Sequence, residues 1–79
     1  MTRTATIRTE VSDPGLVAAA VRPDNTAEMD TQVSGDAVVT RIERDDTRGL
    51  QSTVDDYVVN VTVAAEVAQH ANRHTTNES

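Results

Sequence analysis

The sequence predicts a small α+β layer, a three-stranded antiparallel sheet with two helices on one face in the order β-α-β-β-α. Three features predict it: an alternating segment from Arg3 to Val11, a second alternating segment folded about Gly35-Asp36, and a run from Leu50 to His74 free of Gly and Pro. At 79 residues the chain makes one domain at most, which excludes a multidomain enzyme. A chain this short buries only about 60 to 65% of its unfolded surface, so its core is thin and gains from a partner that extends it. With no cysteine it has neither disulfide staples nor a thiolate metal site.

Each element has its own signal. Arg3, Ala5, Ile7, Thr9 and Val11 alternate with Thr4, Thr6, Arg8 and Glu10, the period of a half-buried strand. Asp13 then reads as a helix cap with Pro14 at the first helical position. Leu16, Val17, Ala20 and Val21 follow at helical spacing, and Pro23 limits this helix to two or three turns. Asp24-Asn25 is a turn signal. Ala27, Met29, Thr31 and Val33 alternate next, and beyond Gly35-Asp36 so do Val38, Thr40 and Ile42. A two-residue turn there sets Val33 opposite Val38, Thr31 opposite Thr40 and Met29 opposite Ile42. The same register sets Asp30 against Arg41 on the outer face and leaves Glu28 facing Glu43 at the open end. The segment from Arg44 to Gly49 reads as a loop.

The last segment carries two competing periods. Leu50, Val54, Tyr57, Val58, Val61, Ala64, Ala65, Ala68 and Ala71 form a helical stripe, whereas Tyr57, Val59, Val61 and Val63 also alternate as in a strand. Helix is favoured because the stripe persists over about six turns with no breaker. Residues 1–74 therefore form one domain and residues 75–79 a flexible polar tail. On the helical wheel Val59, Val63 and Val67, spaced four apart, fall roughly opposite the stripe that covers the sheet. They are the candidate protein interface, with scattered surface valines as the alternative.

Charge points to habitat more than to chemistry. All seven basic residues are arginine, lysine is absent, and thirteen acids bring the formal charge to −6. Threonine and valine number twelve each, and Phe and Trp are absent. Such a lysine-free acidic surface over a small-residue core is expected of a halophilic, salt-loaded cytoplasm, where repulsion is screened within roughly 3 Å. No membrane-spanning run or signal peptide is evident, so a cytoplasmic location is expected.

The inventory for catalysis is thin, and no enzyme, cofactor or metal is expected. Glycines 15, 35 and 49 lie too far apart for a phosphate loop. His70 and His74 are spaced as a metal pair on one helix face but have no third ligand nearby. Ser12, Ser34 and Ser52 have no neighbouring histidine to act as base. Asp45-Asp46 and Asp55-Asp56 read as a loop and a helix start before they read as Mg²⁺ ligands. Asn60-Val61-Thr62 matches a glycosylation sequon but sits in the middle of a helix. Arg8 and Arg41 on the outer sheet face, with Arg44 and Arg48 in or beside the loop, are the candidate RNA contacts. Lacking aromatic platforms and carrying net negative charge, the chain would use them only within a larger assembly; otherwise they pair with Asp30, Glu10 or Asp46.

Four stretches together resemble a known family. These are Arg8-Thr-Glu-Val-Ser-Asp-Pro14, Arg22-Pro-Asp-Asn25, Gly35-Asp-Ala-Val-Val-Thr40 and Leu50-Gln-Ser-Thr-Val-Asp-Asp-Tyr57. In order and spacing they are similar to the archaeal, haloarchaeal-type Pcc family, the small subunit of the KEOPS complex, over about residues 3 to 71. That family is itself distantly similar to the eukaryotic CTAG/LAGE proteins. The resemblance implies a non-catalytic dimerisation and scaffold subunit. KEOPS installs the threonylcarbamoyl group on the adenosine beside the anticodon of tRNAs reading ANN codons. The implied partners are a second copy of the chain, the catalytic ASKHA-class subunit and, indirectly, a kinase-like ATPase, with tRNA met only inside the complex. The competing functional readings are a DNA-associated transcription regulator and a paralogous capping subunit of the same complex.

Overall fold

The structure is a computed structural model that describes the backbone of residues 1–77 and the side chains of residues 1–70. Its elements are β1 (Arg3–Glu10), α1 (Pro14–Val21), a 3-10 turn (Arg22–Asp24), β2 (Met29–Ser34), β3 (Ala37–Arg44) and α2 (Thr47–Asn77). The three strands form one antiparallel sheet in the order β1-β3-β2. Both helices lie on the same face, α1 over β2 and β3, α2 over β1 and β3. The β-α-β-β-α layer expected from the sequence is therefore the observed fold.

The hairpin register is the expected one, with Val33 against Val38, Thr31 against Thr40, Met29 against Ile42 and Asp30 against Arg41. Gly35 makes it possible: its φ of +61° lies in the left-handed region, where a Cβ would clash with the following carbonyl. At the other edge β1 pairs with β3 so that Ala5, Ile7 and Thr9 meet Ile42, Thr40 and Val38. Strand sides alternate, so these residues share the face under the helices.

The α1 start is also as read, with the Asp13 carboxylate accepting a hydrogen bond from the Leu16 amide at 3.2 Å and Pro14 in the first turn. Its buried side is Val17, Ala18 and Val21. Leu16 and Ala20, read as part of the apolar side, are exposed instead. With Val17, Ala18 and Val21 turned to the core, Leu16 lies about 100° from Val17 and about 160° from Ala18 around the axis, and so points to solvent.

The loop before α2 is shorter than the sequence suggests. Arg44 is the last residue of β3, and α2 begins at Thr47. Asp46 is the cap: its carboxylate accepts from the Gly49 amide at 2.6 Å, and its carbonyl accepts from Leu50 at 3.0 Å. Gly49, taken from sequence as the loop's end, is the third helical residue. The helix also continues to Asn77, past Thr75, where the sequence pattern starts the polar tail; Glu78 and Ser79 lie outside the described residues.

The core is one cluster of Val17, Ala18, Val21, Val38, Ile42, Tyr57, Val61 and Ala68, bordered by Ile7, Val11, Met29, Leu50, Val54, Ala64 and Ala65. Val58, placed by the wheel among the sheet-covering residues, is 44% exposed. It lies on the shoulder of the stripe, where the sheet no longer reaches. Through the core runs a chain of hydroxyls. Asn25 Nδ2 donates to Thr31 Oγ1 at 2.7 Å, Thr31 and Thr40 Oγ atoms are 2.9 Å apart, and Thr40 Oγ1 donates to the Tyr57 hydroxyl at 2.6 Å. Because Thr40 spends its one hydrogen on Tyr57, Thr31 is the donor to Thr40. The thread joins the 3-10 turn, both hairpin strands and α2, and no buried side-chain polar atom among those described lacks a partner.

Candidate docking surface

The outer side of α2 follows from the same periodicity that buries its inner side. Tyr57, Val61 and Ala68 face the sheet, so residues half a turn away face solvent. Val59, Val63 and Val67 are there, 62%, 53% and 63% exposed, as the wheel predicts. Steps of four residues turn about 40° around the axis, so the stripe winds towards α1 as it ascends. Val63 and Val67 consequently form one wall of a shallow groove of about 300 Å³, with Asn60 and Ala64. Ala20, Val21 and Asp24 form the other wall. Val59 lies outside the groove and continues the apolar line of Val63 and Val67 one turn down α2. The spacing in the sequence marks the three valines but gives no signal for the opposing wall, because Ala20 reads there as part of the buried side of α1.

The four candidate arginines occupy different settings. Arg8, on the outer face of β1, lies 3.8 Å from both Glu10 and Asp36. Arg41 does not engage Asp30, its cross-strand neighbour in register; it pairs with Glu43 on its own strand at 2.6 Å. Asp30 instead accepts from Gln32 at 3.1 Å. That choice also relieves the facing acids at the open end, since Glu43 has Arg41 and Glu28 accepts from the Thr26 hydroxyl at 2.6 Å. The Thr26 bond is the main cause holding the Glu28 carboxyl below its ordinary pKa. Arg44 points back over the first turns of α2 and donates to Thr53 Oγ1 at 2.6 Å. Arg48 is exposed on the first turn of α2. The structure thus does not bring the four together into one basic patch.

Polar groups gather at the other end of the sheet. Thr2, Glu28, Glu43, Arg44, Asp45 and Asp46 line an open depression of about 310 Å³. Among the described residues no group of three or more His, Asp or Glu side chains is arranged to hold a metal ion. His70 is exposed on α2, and the His74 side chain lies outside the described residues. Asp55, Asp56 and Asn60 are exposed on the helix, not at its start, which belongs to Asp46. Among the described residues no helix is long and apolar enough to cross a membrane.

No protein-family model and no curated protein matches the chain.

Proposed function

We propose that this chain is a non-catalytic scaffold subunit of a KEOPS-type assembly, acting in the cytoplasm to support threonylcarbamoyl modification of tRNA. The observation that carries the reading is the exposed Val59, Val63 and Val67 stripe, a second apolar line on a helix whose first line already satisfies the core. A helix that served only its own sheet would be polar there. The four family-like stretches support it further, since they fall on β1 to α1, the 3-10 turn, the hairpin and the first turns of α2. In this reading a helix of the catalytic ASKHA-class subunit docks on the α2 face, and the chain supplies geometry while its partner supplies chemistry.

Self-association is the second half of the proposal. Strands β1 and β2 are both sheet edges with one unpaired side, a natural place for a second copy. Light scattering at micromolar concentration in high salt is expected to give a homodimer mass, and a strictly monomeric mass counts against the scaffold. The central test is affinity purification of the tagged protein from native high-salt lysate, with the ASKHA-class and kinase-like subunits expected among the recovered proteins. Recovery of a transcription complex instead overturns the proposal. The Val59→Asp, Val63→Asp double variant is expected to fold with unchanged circular dichroism and lose the catalytic partner. If it folds and still assembles, the docking surface lies elsewhere.

A further inference from the structure

Beyond Arg48 the charged residues of α2 whose side chains are described, those beside the valine stripe, are all acidic. Six of the seven arginines lie at or before Arg48; from Gly49 to His70 the chain has three acids, Asp55, Asp56 and Glu66, and no arginine. All three are exposed. Asp56 precedes Val59 by three residues and Val63 by seven, so it shares their side of α2. Glu66 follows Val63 by three and Val59 by seven, and flanks the stripe on the side away from the groove. Across the groove from Val63 and Val67, the one charged lining residue is Asp24. The apolar stripe and its groove thus carry carboxylates on both sides, Glu66 and Asp24, and at the lower end, Asp56.

We infer that the occupant of this face is a basic amphipathic helix from a different polypeptide, with arginine or lysine flanking the apolar residues that enter the groove. The inference rests on the docking reading above and adds the chemistry of the occupant. A second copy of this chain is disfavoured on this surface because a two-fold contact would set Asp56 and Glu66 of each copy against the same acids of the other. Apolar contact supplies attachment, whereas the rim supplies selection: cationic flanks are attracted and acidic ones repelled.

The test separates those two contributions. The full chain is titrated with two synthetic helical peptides that share one leucine-alanine face and differ only in their flanks, arginine in one and glutamate in the other. At the lowest ionic strength, about 0.15 M with screening at roughly 8 Å, at which circular dichroism still matches that in molar KCl, the arginine-flanked peptide is expected to bind at least about tenfold more tightly. Molar KCl should shrink that preference. The Asp24→Asn, Asp56→Asn, Glu66→Gln variant is expected to lose the preference while keeping the affinity both peptides share. Equal binding of the two peptides to the unaltered chain overturns the charge inference and leaves docking standing. Binding of neither peptide, or binding indifferent to Val63→Asp with Val67→Asp, overturns docking and this inference with it. A homodimer that becomes monomeric on Val63→Asp would identify a second copy as the occupant and also overturn it.

Discussion

Tyr57 is the chain's only aromatic residue, and its 1% exposure places its hydroxyl among groups that water cannot satisfy. Removing that oxygen leaves the Thr40 hydroxyl buried without its acceptor, and an orphaned donor costs about 1–2 kcal/mol. Tyr57→Phe is therefore expected to lower unfolding free energy by about that amount in urea at neutral pH. The pH dependence has a definite sign. Burial raises the Tyr57 pKa above the ordinary 10.0, against a smaller opposing effect of the Thr40 hydrogen bond. Below that ordinary value both folded and unfolded chains keep the proton, and this stabilising contribution is fully present. As pH rises past it the unfolded chain ionises first, so stability falls through the folded pKa. Phenylalanine removes this alkaline loss. Equal alkaline sensitivity in both proteins would mean that the phenol is not the group responsible.

At the scale of elements, the root of α2 concentrates several requirements on one glycine. A Cβ on Gly49 would come 2.9 Å from Asp46 Oδ1 and 3.2 Å from Arg44 Nη2. Alanine is the better helix former by about 1 kcal/mol, yet here it would displace the carboxylate that caps the helix. Gly49→Ala is expected to be destabilising by up to about 1 kcal/mol, and to become stabilising once Asp46→Ala has removed the cap. A denaturation cycle over the four proteins reads that reversal; additivity would exclude the contact. The same root shows where sequence reading stops. The hairpin was legible because one register satisfied both faces and a glycine sat at the turn. Gly49 was misread because glycine more often breaks a helix than occupies its third position. Val58 was misassigned because a wheel gives the direction of a side chain but not how far the neighbouring element reaches, and Leu16 because Ala18, not Leu16, flanks Val17 on the buried side. The valine stripe was legible from spacing alone. Its opposing wall was not, because that depends on where α1 comes to rest. The hydroxyl thread was half legible: the register sets Thr31 against Thr40, but only tertiary packing brings Tyr57 to them.

For the molecule as a whole the governing quantity is charge. Thirteen acids and seven arginines share a small surface, and the ion pairs found on it are exposed and weak. With a core of valine, alanine, threonine and one isoleucine under a single tyrosine, little stability is held in reserve against that repulsion. Dialysis from molar KCl to tens of millimolar salt is expected to reduce helical circular dichroism and lower the melting temperature. An unchanged melting temperature across that range removes the halophilic reading and leaves the acidic surface as a matter of solubility alone.

The hydroxyl thread has a thermal consequence. Unfolding exposes apolar surface, which raises heat capacity, and polar surface, which lowers it. An average chain of this length would change by about 1 kcal/mol/K. Here Thr31, Thr40 and the phenolic end of Tyr57 are buried together with the apolar cluster, so part of the surface that unfolding exposes is polar. The heat-capacity increment is therefore expected to be smaller, and the curve of stability against temperature flatter. A molecule with so thin a core is then expected to lose its small margin more gradually on warming or cooling, so long as salt holds its surface charges in check.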